Sequence, residues 1–164
     1  MDWTWDLSVL YRDFEDEQIA RDFDALKALV ENAQTLLQGD VRQALENMTD
    51  AFENISRLSG KLFNFASLTL STDAGNESAQ MLMDQLMRFS VQLPLLNFAY
   101  IRFLGKVENL GEIIAQSEKL QKIAFSLLRD RKAAAHLMDE GTEEWILKMS
   151  LTGSDAFSTL RDKL

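Results

Sequence analysis

The sequence predicts an all-α protein, an antiparallel bundle of about five to six helices. Apolar residues recur in alternating steps of four and three along most of the chain, the spacing of a helix face. No run alternates with period two, as a half-buried strand would. Clusters of turn formers divide the periodic stretches at short intervals, which favours antiparallel neighbours packed at a shallow angle.

The first stretch runs Ile19, Phe23, Leu26, Val30, Ala33, Leu37; Gly39 ends it, and Asp40 stands ready as N-cap of the next. The second carries Val41, Leu45, Met48, Phe52, Ile55, Leu58, Leu62 and Phe65, and the turn-rich Ser71 to Asn76 closes it. The third carries Leu82, Leu86, Phe89, Leu93, Leu96, Tyr100 and Phe103. It contains the chain's only proline, Pro94, which removes the bond to the Ser90 carbonyl and so kinks or divides the helix there. Asn109 and Gly111 loosen the next connection. A fourth helix is expected after Ser117 as cap, with Leu120, Ile123, Ala124, Leu127 and Leu128. A fifth starts near Asp139 and uses Trp145, Ile146 and Met149. Thr152-Gly153-Ser154 reads as a turn before a last short helix with Phe157 and Leu160.

A chain of 164 residues suits one domain, 1–164, and can bury roughly 70% of its unfolded surface without staples. Cysteine is absent, so there is no disulfide framework and no thiolate ligand or nucleophile; a cytoplasmic location is expected. A net charge of −9 argues against nucleic acid, which demands a clustered basic face. The run Arg129-Asp130-Arg131-Lys132 is the cation-rich end of a helix rather than a phosphate site. Met1 to Asp6 has neither a basic nor an apolar leader region, and the most apolar stretch, Met81 to Leu104, holds Asp84, Arg88, Pro94 and Arg102. Neither a secretory signal nor a membrane span is expected.

The residues that chemistry needs are missing. A catalytic zinc takes about three protein ligands, and the chain has one histidine, His136, and no cysteine. The residue three before it is Ala133, so no Glu-x-x-His pair exists. Asp139, Glu140, Glu143 and Glu144 gather at a helix start, where acids offset the helix dipole. Neither Asp13 to Glu17 nor Asp73 to Glu77 has the spacing of a calcium loop. No nucleophile elbow or phosphate loop is present; Leu58-Ser59-Gly60-Lys61 lacks the preceding glycine and strand. His136 reads as a helix C-terminal residue rather than a proton shuttle. Met81, Met83 and Met87 read as core filler rather than an adaptable binding face. Trp3, Trp5 and Tyr11 read as an N-terminal segment stapled onto its own bundle rather than a partner anchor. No catalytic, cofactor-binding or metal-binding residue is assigned.

Four segments then carry a resemblance. Trp5-Asp6-Leu7-Ser8-Val9-Leu10-Tyr11 is similar to the opening of the oligoendopeptidase F family of zinc metallopeptidases. Phe63-Asn64-Phe65-Ala66-Ser67-Leu68, followed by Ser71-Thr72-Asp73, resembles that family's aromatic-Ala-Ser-Leu…Ser-Thr-Asp stretch. His136-Leu137-Met138-Asp139 with Glu143 resembles its His-x-Leu-Ser-x-x-x-Glu helix start, with Met138 for leucine and Asp139 for the capping serine. Leu151-Thr152-Gly153-Ser154, then Ala156, Phe157 and Leu160, resembles its Thr-Gly-x-x-Ala-Trp-x-x-Leu element. The resemblance implies the N-terminal helical region of such an enzyme, one wall of a cleft around short peptides. The family's zinc ligands, a His-Glu-x-x-His helix plus a later glutamate, match nothing in this sequence, so the catalytic domain is expected as a partner outside this chain. The chain alone is expected to be inactive and to self-associate through the face that would meet that domain. A free-standing helical interaction module is the alternative, resting on the Met-rich third helix; an independent enzyme is the weakest reading.

Overall fold

The computed structural model describes residues 6–139, 141–143, 145, 146, 149 and 153. Among them are seven α-helices, two 3-10 turns and no strand, so the all-α expectation holds. The helices are α1 (Glu17–Ala33), α2 (Val41–Thr72), α3 (Glu77–Ser90), α4 (Gln92–Gly105), α5 (Leu110–Ala115), α6 (Glu118–Lys122) and α7 (Ala124–Ala133).

Side-chain caps start α1, α2 and α3. Asp16 accepts from the Gln18 amide, Asp40 from Gln43 and Asn76 from Ala79, each satisfying one orphan donor of a first turn. The first periodic stretch tightens after Ala33 into a 3-10 turn, Gln34–Leu37. Gly39 follows at φ 90°, a conformation that any Cβ would strain, and redirects the chain into α2.

Register shows the antiparallel arrangement. Asp22, early in α1, pairs with Lys61, late in α2, while the 3-10 turn after α1 packs against α2. Phe23 meets Phe89 at the end of α3, with centroids 5.8 Å apart. α2 packs against α1, α3, α5 and α6, and its buried set includes Leu45, Met48, Leu62 and Ala66 with almost no exposure. α4 packs against α1, α3 and α7 and meets α2 through the Phe52–Tyr100 ring pair. An ion pair between Lys119 and Asp50 ties α6 to α2.

Three details sharpen or depart from the sequence pattern. The third periodic stretch is divided near Pro94, one of the two outcomes expected: α3 ends at Ser90 and α4 begins at Gln92, with Val91 still in the right-handed region. This break puts Pro94 in the first turn of α4, where the missing N–H would have had no intrahelical partner. Asn109 and Gly111, expected only to loosen a connection, border and enter the short helix α5, held by buried Leu110 and Ile114. The fourth stretch starts at Ser117 as expected, its hydroxyl accepting from Leu120 N at 3.3 Å, but breaks at Ile123 into α6 and α7. Trp3, Trp5, Phe157 and Leu160 lie outside the described residues.

Two helical glycines should respond oppositely to alanine. A Cβ on Gly105 would sit 2.7 Å from that of Ala134, so Gly105→Ala must push α4 from the segment after α7, costing about 1–3 kcal/mol. A Cβ on Gly60 meets nothing within 4 Å, so Gly60→Ala should gain about 0.5–1 kcal/mol by restricting the unfolded chain. Urea unfolding of both variants, with midpoints moving in opposite directions, checks the pair.

Candidate functional site

The first two resemblance motifs meet in space. Tyr11 is buried and lies edge-on to Phe65, centroids 5.2 Å apart at 72°, while Phe14 covers the same ring at 4.7 Å. The Tyr11 hydroxyl donates to Asp22 Oδ2 at 2.7 Å. Lys61 Nζ donates to the same oxygen at 2.9 Å and sits 4.0 Å from the centre of the Tyr11 ring. Gln18 donates to Asp22 Oδ1 at 2.6 Å. Burial works against the Asp22 charge, yet hydrogen bonds from Lys61, Tyr11 and Gln18 outweigh it and hold the carboxyl below its ordinary value. Burial, reinforced by Asp22, pushes the Tyr11 phenol up, so it remains a donor. Three donors from separate parts of the chain converge on Asp22, and the cluster is a staple of the N-terminal segment to α1 and α2.

The third motif is a second junction. Asp139 caps the following helical turn, its carboxylate accepting from Thr142 N at 3.0 Å and from the Thr142 hydroxyl at 2.5 Å. That hydroxyl and then that amide hold the Asp139 carboxyl below its ordinary range. Glu143 is buried; its Oε1 accepts from Met138 N at 3.1 Å, reaching back beyond the cap. Its Oε2 accepts from Arg102 of α4 at 2.9 Å, and Arg102 also donates to the Met138 carbonyl at 3.2 Å. The acidic residue four after the cap is thus both a cap and an anchor. Glu140 and Glu144 lie outside the described residues.

His136 ends the 3-10 turn Ala134–His136 and is exposed. Arg131 and Lys132 occupy the last turn of α7, and Arg131 donates to the Glu108 carbonyl at 3.1 Å. Gly153 N donates to Met149 O at 2.8 Å, and a Cβ on Gly153 would lie 2.8 Å from that carbonyl oxygen. The Thr-Gly element therefore has a glycine where the backbone approaches itself too closely for any other residue. Thr152, Ser154, Ala156 and the remaining positions of that motif lie outside the described residues.

Among the described residues no three His, Cys, Asp or Glu side chains gather where they could hold a metal ion. The donor set does not fit the zinc that the resemblance implies for the whole enzyme. Among the described residues, no helix is long and apolar enough to cross a membrane.

The methionines overturn their reading as core filler. Met81 is 64% exposed and Met87 57%, with only Met83 packed against the core. The four-three stripe of α3 is carried by Leu82, Leu86 and Phe89, which leaves Met81 and Met87 pointing outward. Met87 and half-exposed Phe63 flank a shallow groove of about 310 Å³ between α2 and α3, with Gly60 and Leu93 also lining it. Trp145, Ile146 and Met149, expected on an inward face, are likewise exposed.

Residues 107–164 match the family model described as oligopeptidase F, the N-terminal region of M3-family peptidases. Over this stretch the chain is similar to the oligopeptidase F N-terminal region. The match begins at buried Val107, directly after α4, and includes α5 to α7 and the Asp139–Glu143 junction. It contains the third and fourth resemblance motifs; the first two, at 5–11 and 63–73, precede it. No curated protein and no solved structure matches the chain.

Asp22 gives the staple a pH dependence. Its native carboxyl is held below 3.8, so its stabilising contribution is complete above that value and is lost as pH falls through the depressed native value. Asp22→Asn should cost about 1–3 kcal/mol at neutral pH and flatten the acid limb of the stability profile. Urea midpoints between pH 7 and 3 measure this, and an unchanged acid limb would exclude Asp22 as its source. At the other junction, Glu143→Ala should speed amide exchange at Met138 by about tenfold or more, the equivalent of one lost hydrogen bond. Amides in the middle of α2 should keep their protection; uniform acceleration would show that the junction is not local.

Proposed function

We propose that this chain is the non-catalytic helical N-terminal part of an oligopeptidase F-type zinc peptidase, forming part of the wall of a cleft that admits short peptides. The observation that carries the reading is the family match over 107–164, with two further motif resemblances upstream in the family's order. The internal use of two motif residues agrees with it: Tyr11 bonds to Asp22 and Glu143 to Arg102, and these bonds hold helices to one another. In this reading the zinc polarises water in a different part of the enzyme. The helices contribute by limiting access to peptides of small cross-section and by keeping bulk water from the reaction. A cytoplasmic location goes with it, since the chain has no cysteine to form disulfides.

The α2–α3 groove supports a second reading, a free-standing module that seats one face of an apolar helix. The peptidase reading instead assigns the exposed apolar side chains Phe63 and Met87 to contacts with the remainder of the enzyme, and the isolated chain then self-associates through them.

Hydrolysis of an internally quenched short peptide separates these ideas from an independent enzyme. The purified chain should release no fluorescence above buffer, with or without added zinc, and cleavage suppressed by a chelator would sink the non-catalytic assignment. The full-length gene product should encode a His-Glu-x-x-His helix downstream of Leu164, and substituting its glutamate should abolish peptide hydrolysis. A gene without that motif leaves the peptidase reading without support.

A further inference from the structure

An open cleft of about 510 Å³ lies between α2, α4 and the start of α7, away from both junctions. α2 supplies Phe52, Glu53, Ser56 and Arg57 to it, positions that share one helix face. Its apolar wall is completed by Tyr100 of α4 with Ile123 and Leu127. Phe52 and Tyr100 meet edge to face, centroids 5.2 Å apart at 69°. Asp130 of α7 closes the far side.

Tyr100 is the unusual member. It is only 5% exposed, yet its hydroxyl bonds to none of the described residues. Among those residues no sealed side-chain polar atom lacks a partner, so this hydroxyl is not enclosed in the core. The cleft that Tyr100 lines is the open space it faces. Burial, with the Asp130 charge, pushes its phenol up, so the group is a neutral hydroxyl that both donates and accepts.

We propose that this cleft binds an organic cation, an aromatic or alkyl body bearing a primary ammonium. The lining residues themselves carry two carboxylates, Glu53 and Asp130, and one guanidinium. That guanidinium, of Arg57, is turned along its own helix to Asn54 Oδ1 at 3.3 Å. Arg129, outside the lining, pairs with Asp130 Oδ1, so the acceptors left to a ligand are Asp130 Oδ2 and Glu53. Asp130 has one oxygen engaged by Arg129 at 2.8 Å and retains acceptor capacity on the carboxylate. An ammonium placed between the Tyr100 hydroxyl and Asp130 donates to both, while the Phe52 and Tyr100 rings offer apolar surface and negative ring faces. An anion of the same shape meets Glu53 and Asp130 instead. The inference does not rest on the peptidase reading, and loss of either leaves the other standing.

The test titrates the whole chain with 2-phenylethylammonium, with neutral 2-phenylethanol and with anionic phenylacetate, following backbone amide resonances by NMR. The cation should give saturable shifts centred on Tyr100, Ile123 and Leu127, with at least about fivefold tighter binding than the alcohol, the scale of a cation–π contact plus a partly exposed ion pair. Asp130→Asn should erase most of that preference, and Tyr100→Phe, which keeps the ring, should weaken the cation severalfold while leaving the alpha-helical circular dichroism unchanged. Equal or tighter binding of the alcohol or of phenylacetate overturns the proposal, as does the absence of saturable cleft shifts with the cation. Because the three-ligand comparison uses the unaltered chain, it decides the question even if a variant fails to fold.

Discussion

One helix sets the terms for the rest. α2 runs unbroken from Val41 to Thr72, about 48 Å at the usual rise. Its apolar residues are buried along its length, from Ala44 to Ala66. A helix that long cannot bury such a stripe against a single neighbour of ordinary size. α1 and α3 pack on it most extensively, α5 and α6 pack against it, and Tyr100 of α4 meets its Phe52. This demand explains why the elements after Pro94 are shorter and more broken than those before it. They fill the space left beside α2, and Leu110 and Ile114 of α5, Leu120 of α6 and Leu127 of α7 reach the shared core from three short helices.

Polar interactions decide where those elements end and how they are fixed. Both buried ion pairs join segments far apart in sequence: Asp22 with Lys61, and Arg102 with Glu143. A buried pair of this kind adds little net stability over an apolar substitute, but leaving one member alone is costly. Its effect is therefore to penalise the wrong register. If α1 slid by one turn on α2, the Asp22 carboxylate would be left without Lys61 and Tyr11 would leave Phe65. Direct coordination of Asp22 by three donors makes that penalty sharper than the contact of apolar surfaces could.

Much of this was legible in the sequence, and the parts that were not have physical reasons. Periodicity located α1 to α4 because a helix that buries one face must repeat its apolar residues at that spacing. Caps at Asp40 and Ser117 were readable because short oxygen-bearing side chains satisfy first-turn amides in any context. Pro94 marked a break without saying where it falls, since a proline suits any place in a first turn and only tertiary packing selects Val91. Met81 and Met87 were misplaced because an apolar residue beside a leucine stripe has the right chemistry for burial and the wrong angle. The cleft around Tyr100 escaped altogether. Its residues come from three helices, and nothing in Phe52 or Tyr100 distinguishes a wall from a core until α7 is placed beside them.

The resemblance motifs show what kind of information a family pattern carries. Tyr11 and Phe65 come from separate motifs and touch; Asp139 and Glu143 cap a turn and bind Arg102; Gly153 sits where a side chain would strike a carbonyl. All of these can be accounted for by the mechanics of one helical scaffold, without reference to a substrate. A pattern of this sort persists wherever the scaffold must keep its shape, whatever chemistry is attached to it. The matched stretch from 107 to 164 is therefore a statement about architecture, and architecture is where the link to a peptidase has its physical force. The Tyr100 cleft is built from residues outside those motifs, so the mechanics that account for the motifs do not account for it.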